Sequence, residues 1–174
     1  MLQGLSLGDR YRHKIYAIII PGSEIPKWFR HQSIGAEVNI KEPSFQLCNE
    51  WMGIAVCIVF SPHPHHQIPN GDSLSCWLVA NGKKMPSAPN TGHIVVLSNH
   101  IWLLYLLPQY YQEKQIKSLW ECDANGFIQI GIRITTHCSV FKVKKCGFRV
   151  VYKKDIEDLN RSMAQCSNNS IIPY

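Results

Sequence analysis

Alternation of apolar and polar residues is the feature of this sequence that most limits the folds open to it. In the segment GFIQIGIRITT, residues 126–136, four isoleucines recur at every second position, with mostly polar residues between them. The segment AEVNIK, residues 36–41, repeats the pattern with Ala, Val and Ile on one side. Successive side chains of a strand point to opposite faces, so both segments predict strands with one buried and one solvated face.

A third segment, MGIAVCIVF at residues 52–60, is apolar at every position. Its even-numbered residues are large, whereas its odd-numbered residues are mostly small. This pattern predicts a central strand with one face in the main core. We expect its other face to lie under a close-packed loop or a second layer.

Turn signals and one change of phase separate further strand-like runs. Asn81-Gly82 follows the run 73–80 and predicts a tight hairpin turn, and residues 98–100 predict another turn. In VFKVKKCGFRVVYKK the inward parity changes from odd to even, which predicts a β-bulge near residues 145–147. With about eight or nine short strands, we predict an all-β antiparallel sandwich, jelly-roll or immunoglobulin-like, over residues 14–153.

The two ends of the chain carry different patterns. Residues 1–13 lack the apolar core and cleavage site of a signal peptide, and we interpret them as the remnant of a linker from an upstream region of a longer protein. Residues 154–174 predict a short helix with Asp155 as a candidate N-cap, followed by a loose tail. One stripe of this helix is apolar and contains Ile156, Leu159 and Met163.

Composition favours a packed domain with reduced thiols. Hydrophobic residues make up 45% and charged residues 17% of the 174 residues, which supports a core and argues against disorder. The seven cysteines are odd in number and include no CxxC pair, so we predict free thiols and a cytoplasmic or nuclear location. No apolar run is long enough to span a bilayer, and we predict no membrane partner. The formal net charge of +6 permits an acidic partner but identifies none.

The segment PGSEIP contains residue types found in phosphate loops and nucleophile turns. Pro21 and Pro26 remove two backbone N–H donors, and no helix follows to complete a phosphate site. Ser23 lacks the G-x-S-x-G pattern, and Cys57 lies in a strand pattern in which a buried thiol is inert. The twelve Asp and Glu residues show no recognisable catalytic pair. We therefore predict no catalytic residue, no cofactor and a structural corner at this segment.

Three histidines, His63, His65 and His66, lie within four residues of a proline-rich segment. Imidazoles at such spacing can bind zinc or copper where the loop permits it. Prolines stiffen this segment, and no cysteine lies near it in the sequence. The pattern therefore favours a solvent-exposed loop over a metal site.

Four basic residues share the predicted outward face of the last long strand, once the bulge is allowed for: Lys142, Lys144, Arg149 and Lys153. Such a stripe can bind phosphate or an acidic partner. It can equally be a solvated face whose charges protect a sheet edge. We favour the solvated face, which makes a nucleic-acid partner the weaker interpretation.

The aromatic residues divide between apolar strands and a polar segment. Trp77 and Trp102 lie in apolar strands, and we predict that they are core residues. Tyr110 and Tyr111 lie in the polar segment LPQYYQEKQIK, where exposed tyrosines would suit contact with a partner. The alternative is a loop whose tyrosines fold back on the core.

Four segments in order carry a family resemblance. IIIPGSEIPKWFRHQSIGAEVNI resembles the start of the post-repeat domain of plant intracellular immune receptors of the TIR nucleotide-binding leucine-rich-repeat class, the C-terminal jelly-roll and immunoglobulin-like domain. Residues 52–60, 98–106 and 143–152 are similar to later segments of that domain, although Asn99 stands where the family often has an acidic residue. The signature positions are Pro21, Gly22, Glu24, Ile25, Pro26, Trp28, Phe29, Trp102, Cys146 and Gly147.

The resemblance implies a non-catalytic β-sandwich that follows a leucine-rich-repeat array and helps to recognise a pathogen effector protein. Effector binding then leads to an oligomer in which separate TIR domains cleave NAD. The resemblance further implies that residues 1–13 connect to the repeats, which would be a partner in cis, and we expect the isolated domain to be a monomer.

The segments 61–72, 81–92 and 107–125 are the predicted contact loops, because a rigid sandwich allows its loops to vary. The contact candidates within them are His63, His65, His66, Lys83, Lys84, Tyr110, Tyr111 and Lys114. Two other classes of protein remain as alternatives. A carbohydrate-binding module requires exposed coplanar tryptophans, and a small hydrolase requires a polar cluster in a concave pocket.

Overall fold

The computed structural model describes residues 15–43, 51–65 and 70–169, which form an antiparallel β-sandwich. Within these ranges there are nine strands: β1 (Ile15–Pro21), β2 (His31–Ile34), β3 (Glu37–Pro43), β4 (Trp51–Pro62), β5 (Leu74–Ala80), β6 (Lys83–Lys84), β7 (His100–Leu106), β8 (Phe127–Thr136) and β9 (Phe141–Tyr152). The first sheet has the order β1-β7-β4-β9-β2, and the second has the order β3-β8-β5-β6. The predicted all-β sandwich is confirmed. The predicted linker at 1–13 lies outside the described residues.

The main core fills the space between the two sheets. All four isoleucines of β8 are at most 4% exposed, and the even-numbered positions of β4 from Ile54 to Phe60 are fully buried. Trp102 of β7 lies in the same cluster and is 1% exposed. These placements confirm the alternation predicted for β8 and β4, because one face of each strand carries the large apolar side chains.

A second, smaller layer covers the outer face of the first sheet. Ala55, Cys57 and Val59 of β4 pack there against Ile25 and Phe29, which come from the PGSEIPKWF segment. The prediction that a close-lying loop covers this face of β4 is confirmed. β4 is therefore buried on both faces, as its apolar sequence requires.

Irregularities of register occur at both ends of the β4–β9 pair. Val59 pairs with Lys145 and Phe60 pairs with Val143, so Lys144 is the extra residue of a bulge. The predicted bulge is confirmed, one position earlier than the range 145–147. A second shift leaves Met52 40% exposed, so its predicted place in the main core is wrong.

Two α-helices accompany the strands in the described ranges. α1 (Glu113–Leu119) follows a 3-10 turn at Pro108–Tyr110, within the segment predicted as a loop. The prediction of a loop throughout residues 107–125 is therefore wrong in part, because seven residues are too few to show a clear helical period in the sequence. α2 (Lys153–Asn169) confirms the C-terminal helix.

The prediction that Asp155 is the N-cap of α2 is wrong, because the helix begins two residues earlier, at Lys153. Asp155 lies in the first turn, and its carboxylate accepts the backbone N–H of Tyr152 at 2.9 Å. It therefore satisfies a free N–H group at the helix start from inside the helix. Leu159 and Met163 are 57% and 61% exposed, because α2 packs on the sandwich only near its beginning.

Arg149 of β9 is buried, which contradicts its predicted place on a solvated stripe. Its guanidinium lies 4.5 Å from the centre of the Trp28 ring, donates to the Trp28 carbonyl at 3.0 Å and pairs with Asp155. The segment carrying Trp28 and the first turn of α2 cover this part of the sheet. Lys142, Lys144 and Lys153 of the stripe are exposed as predicted.

Asp72 is a fully buried carboxylate just before β5. Its two oxygens accept five backbone N–H groups at 2.7–3.2 Å, from Ser73, His137, Cys138, Val140 and Phe141. Burial by itself raises the pKa of Asp72, but the hydrogen bonds from Cys138, Phe141, Ser73 and Val140 outweigh burial and lower the pKa. Asp72 thus joins the start of β5 to the connection between β8 and β9.

We predict that Asp72→Ala lowers the free energy of unfolding by about 3–5 kcal/mol, because it leaves buried N–H groups without an acceptor. Since the folded-state pKa lies below the unfolded value of about 3.9, the charge-dependent part of this difference is complete above that pH. It is lost as the pH falls through the folded-state pKa. Urea denaturation of both proteins at neutral and acidic pH measures the difference.

Asp158→Ala is the matched control, since Asp158 lies on the exposed side of α2. We expect it to change stability by less than about 0.5 kcal/mol. A similar small change for Asp72→Ala would contradict the anchoring role.

The adjacent aromatic pair of the PGSEIPKWF segment gives a second prediction. Phe29 is 6% exposed, whereas Trp28 is 42% exposed with its ring stacked on Arg149. We expect Phe29→Ala to lower the free energy of unfolding by about 3–4 kcal/mol, and Trp28→Ala to lower it by about 1–2 kcal/mol. Thermal or urea unfolding measures both, and an equal loss in the two variants would refute the assigned orientation.

Candidate contact surface

The β5–β6 hairpin and helix α1 form the two walls of a surface groove. Asn81 and Gly82 have φ values of 51° and 80°, the left-handed values of a primed hairpin turn, so the turn predicted there is confirmed. The Asn81 amide donates to the carbonyl of Glu121 at 3.0 Å, which ties the hairpin to the end of α1. This tie fixes the two walls relative to each other.

α1 is held by local and core contacts. Gln112 and Gln115 form a reciprocal capping box at its start, and Glu113 in its first turn and Lys117 in its last turn complement the helix dipole. Leu119 is fully buried in the main core. The spacing of the two glutamines is the sequence signal that could have revealed this helix.

The groove has a volume of about 410 Å³ and contains three of the predicted contact residues. Lys83 and Lys84 lie on the hairpin, and Lys114 lies on α1. All three are exposed, and the described part of the chain places no carboxylate within ion-pair distance of them. Glu121 is the carboxylate among the lining residues.

The cations of the neighbouring sheet face are paired, in contrast to those of the groove. Arg133 forms two hydrogen bonds with Glu37, at 3.0 and 3.3 Å, and Lys41 lies 3.5 Å from Asp123. Side-chain hydrogen bonds from Arg133 and then Asn39 lower the pKa of Glu37. The groove lysines therefore lack the ion pairs that these neighbouring cations have.

The histidine candidates lie at the opposite end of the sandwich. His63 follows β4, and its backbone N–H donates to the Val140 carbonyl near Asp72. The rings of His63 and His65 are 5.3 Å apart, and His66 lies outside the described residues. Over the ranges that the structure describes, no three His, Cys, Asp or Glu side chains are arranged to hold a metal ion. The candidates thus divide between two ends, about 20 Å apart along β5.

Tyr110 and Tyr111 are buried, so the prediction of exposed tyrosines in the 107–117 segment is wrong. They are 9% and 5% exposed, belong to the main core and pack edge to face at 4.8 Å. The 3-10 turn directs them inward, which is the alternative that the sequence left open. Burial raises the pKa of Tyr111, so its phenol stays neutral.

The signature positions lie at structural contacts. Pro21 ends β1, the Gly22 N–H donates to the Asn99 carbonyl at 3.2 Å, and Glu24 pairs with Lys145 at 3.0 Å. Trp102 and Cys146 are buried in the main core. The hydrogen-bonding and packing partners of these residues are all parts of the sandwich itself.

An apolar surface on β1 was missed from the sequence. Tyr16, Ile18 and Ile20 are 65%, 56% and 36% exposed on the outer face of this edge strand. They stand beside partly buried Leu103 and Tyr105 of β7. The signal was the segment IYAIII itself, which lacks the polar alternation of a solvated face.

Three further features concern the cysteines, the tryptophans and the helices. Cys57, Cys76, Cys122, Cys138 and Cys146 are free thiols, as predicted for the described cysteines. The prediction of Trp77 as a core residue is wrong, because its ring is only partly buried and lies on the outer face of the second sheet, with the Lys84 ammonium 5.0 Å from the ring centre. The described helices include none long and apolar enough to cross a membrane.

The hydroxyl of Tyr111 gives a third prediction. It is buried and has no hydrogen-bond partner among the described residues. We expect Tyr111→Phe to raise the free energy of unfolding by about 1 kcal/mol, since an unpaired buried hydroxyl is destabilising. Tyr111→Ala should lower it by about 3–4 kcal/mol. Urea denaturation measures both, and a loss of stability in Tyr111→Phe would reveal a partner for the hydroxyl.

Curated relatives of the chain are disease resistance proteins of Arabidopsis thaliana. Disease resistance protein RPS4B is 27% identical over 164 residues, covering 81% of this chain and 13% of that protein. Disease resistance protein RPS4 is 24% identical over 172 residues, covering 90% of this chain and 14% of that protein. The chain thus spans about one seventh of the length of these relatives.

The model of the C-JID domain family matches residues 20–157, which include the strands β2 to β9 and the last two residues of β1. The match agrees with the sandwich, with the signature segment that covers β4 and with the resemblance found in the sequence. The chain belongs to the C-JID domain family.

Proposed function

We propose that this domain senses a pathogen effector protein for a plant intracellular immune receptor, acting together with a leucine-rich-repeat domain of the same chain. Its C-JID family membership and its disease resistance relatives support a role in plant immunity. The observation that carries the recognition role is the uncompensated lysine groove between the β5–β6 hairpin and α1.

The groove has the properties expected of a protein contact site. Its walls are tied to each other and to the core through Asn81 and Leu119, so a partner meets a preorganised surface. Lys83, Lys84 and Lys114 are exposed on two of the predicted contact loops. Such segments can change without loss of the sandwich core.

The second proposed contact region follows β4 at the opposite end and contains His63 and His65; His66, the next predicted contact residue, lies outside the described residues. Because the two regions are about 20 Å apart, we propose that an effector engages one end of this domain while the repeats supply further contacts. Tyr110 and Tyr111 are excluded from the contact set by their burial.

The proposed signalling role follows from the family resemblance. Effector binding would promote receptor oligomerisation, and NAD cleavage would occur in separate TIR domains. We propose that this domain is non-catalytic, binds no cofactor, is monomeric in isolation and acts in the cytoplasm or nucleus. Nucleic acid is not a partner in this proposal.

The alternative of a carbohydrate-binding module gains no specific support. All five tryptophans lie in the described ranges, and Trp28 alone among them is classed as exposed. Its ring is stacked on Arg149, while Trp77 lies under Lys84. A flat row of exposed indole rings is therefore missing from the described surface.

A hydrolase is also less well supported. The depression on the outer face of the second sheet, about 320 Å³ in volume, contains Glu37, but both of its oxygens accept hydrogen bonds from Arg133. The lowered pKa of Glu37 keeps it ionised, which does not suit a general acid.

The experiment uses the full receptor in leaf tissue, screened against a panel of pathogen effector proteins for a cell-death response. In the responding pair, we expect exchange of the exposed contact residues at both ends to abolish the response: His63, His65, Lys83, Lys84 and Lys114. The melting temperature of the 174-residue chain should change by less than about 4 °C, since these side chains are outside the core.

The matched control replaces Lys142, Lys144 and Lys154, which are exposed elsewhere on the domain. We expect it to retain the response. A full response from the receptor with the exchanged contact residues would show that this domain does not recognise the effector through these surfaces.

A further inference from the structure

The groove combines three features that together indicate the chemistry of its ligand. The exposed side chains of Lys83 and Lys114 line its two walls, and Glu121 is the lining carboxylate. Lys84 also lines the groove, but its ammonium lies over the Trp77 ring, on the adjacent outer face of the second sheet. The described residues place no acidic group within 4.0 Å of these lysines, although they do so for Arg133 and Lys41 nearby. The positive charge of the groove is therefore available to an external partner.

Protection of a sheet edge explains only part of this arrangement. β6 is the edge strand of the second sheet, and lysines on an edge discourage pairing with other strands. Lys114, however, lies on α1, which has no free strand edge. Its position in the opposite wall of the same groove requires a different explanation.

We infer that the groove between the β5–β6 hairpin and α1 binds an acidic polypeptide segment of the effector. This inference rests on the proposed function. The carboxylates of the segment pair with Lys83 on one wall and with Lys114 on the other, and Lys84 adds positive charge beside the groove. Gln115 and Ser118 of α1 supply neutral polar groups between the charges.

The groove suits an acidic peptide better than a nucleic acid. Glu121 lies within the lining and opposes a continuous run of phosphates. The groove contains no arginine, the residue best suited to bidentate phosphate binding, and no exposed aromatic ring for base stacking. A peptide can place its carboxylates beside the lysines and leave a neutral residue beside Glu121.

The test measures binding of a short fluorescein-labelled oligoglutamate peptide to the 174-residue chain at low salt. We expect the backbone amide resonances of residues 81–85 and 113–121 to shift on addition of the peptide. The triple variant Lys83→Glu, Lys84→Glu, Lys114→Glu should bind the peptide at least about tenfold more weakly, because attraction is replaced by repulsion. Added salt should weaken binding to the native protein.

The control variant Lys142→Glu, Lys144→Glu, Lys154→Glu has the same change in net charge, and we expect its affinity to stay within about twofold of the native value. Equal weakening in both variants would mean that the peptide responds to net charge alone, and the inference would be wrong. Tighter binding of a short duplex DNA, with shifts at the same amides, would assign the groove to nucleic acid and overturn the inference.

The outcomes separate this inference from the proposed function. If the peptide shifts no groove amide while the receptor with exchanged contact residues still loses its response, the acidic ligand class is wrong and effector recognition stands. If the peptide binds in the groove but that receptor responds fully, the groove has an acidic preference and the recognition role fails.

Discussion

The buried carboxylate of Asp72 is the interaction on which the connection between the two sheets depends. It accepts N–H groups from the start of β5 and from the turn that joins β8 in the second sheet to β9 in the first. One side chain thereby satisfies backbone donors that a chain passing from one sheet to the other must otherwise leave unpaired. The end of the sandwich that contains Asp72 is therefore constrained, and the groove lies at the other end.

Much of the fold was predictable because its signals are local. The alternation in β8, the doubly apolar β4 and the Asn81-Gly82 turn each specify their own structure within a few residues. Asp72 and Arg149 were not recognised as buried, because their partners are contributed by distant segments of the chain. A charged residue is predicted to be exposed unless the N–H groups or rings that surround it in the fold are known.

Individual residues of the candidate surface were predictable from the sequence, but the groove that brings them together was not. Lys83, Lys84 and Lys114 were selected from segments judged to be loops, and their common groove exists only because α1 forms and docks. Tyr110 and Tyr111 were misjudged for the same reason, since polar neighbours suggested exposure while the 3-10 turn directs both rings into the core. Recognition of the Gln112–Gln115 capping box would have improved both predictions.

The register of the first sheet determines where its first and last strands lie relative to the groove. Ile15, Leu106, Ile54 and Val150 lie in one row across adjacent strands, so the chain enters and leaves this sheet at the same end. The row spans about 14 Å. α1 follows Leu106 and lies at that end as well, with Trp120 packed on Trp51. A load applied to the groove is thus borne close to the start of β1 and the end of β9, and the long axis of the sandwich need not transmit it.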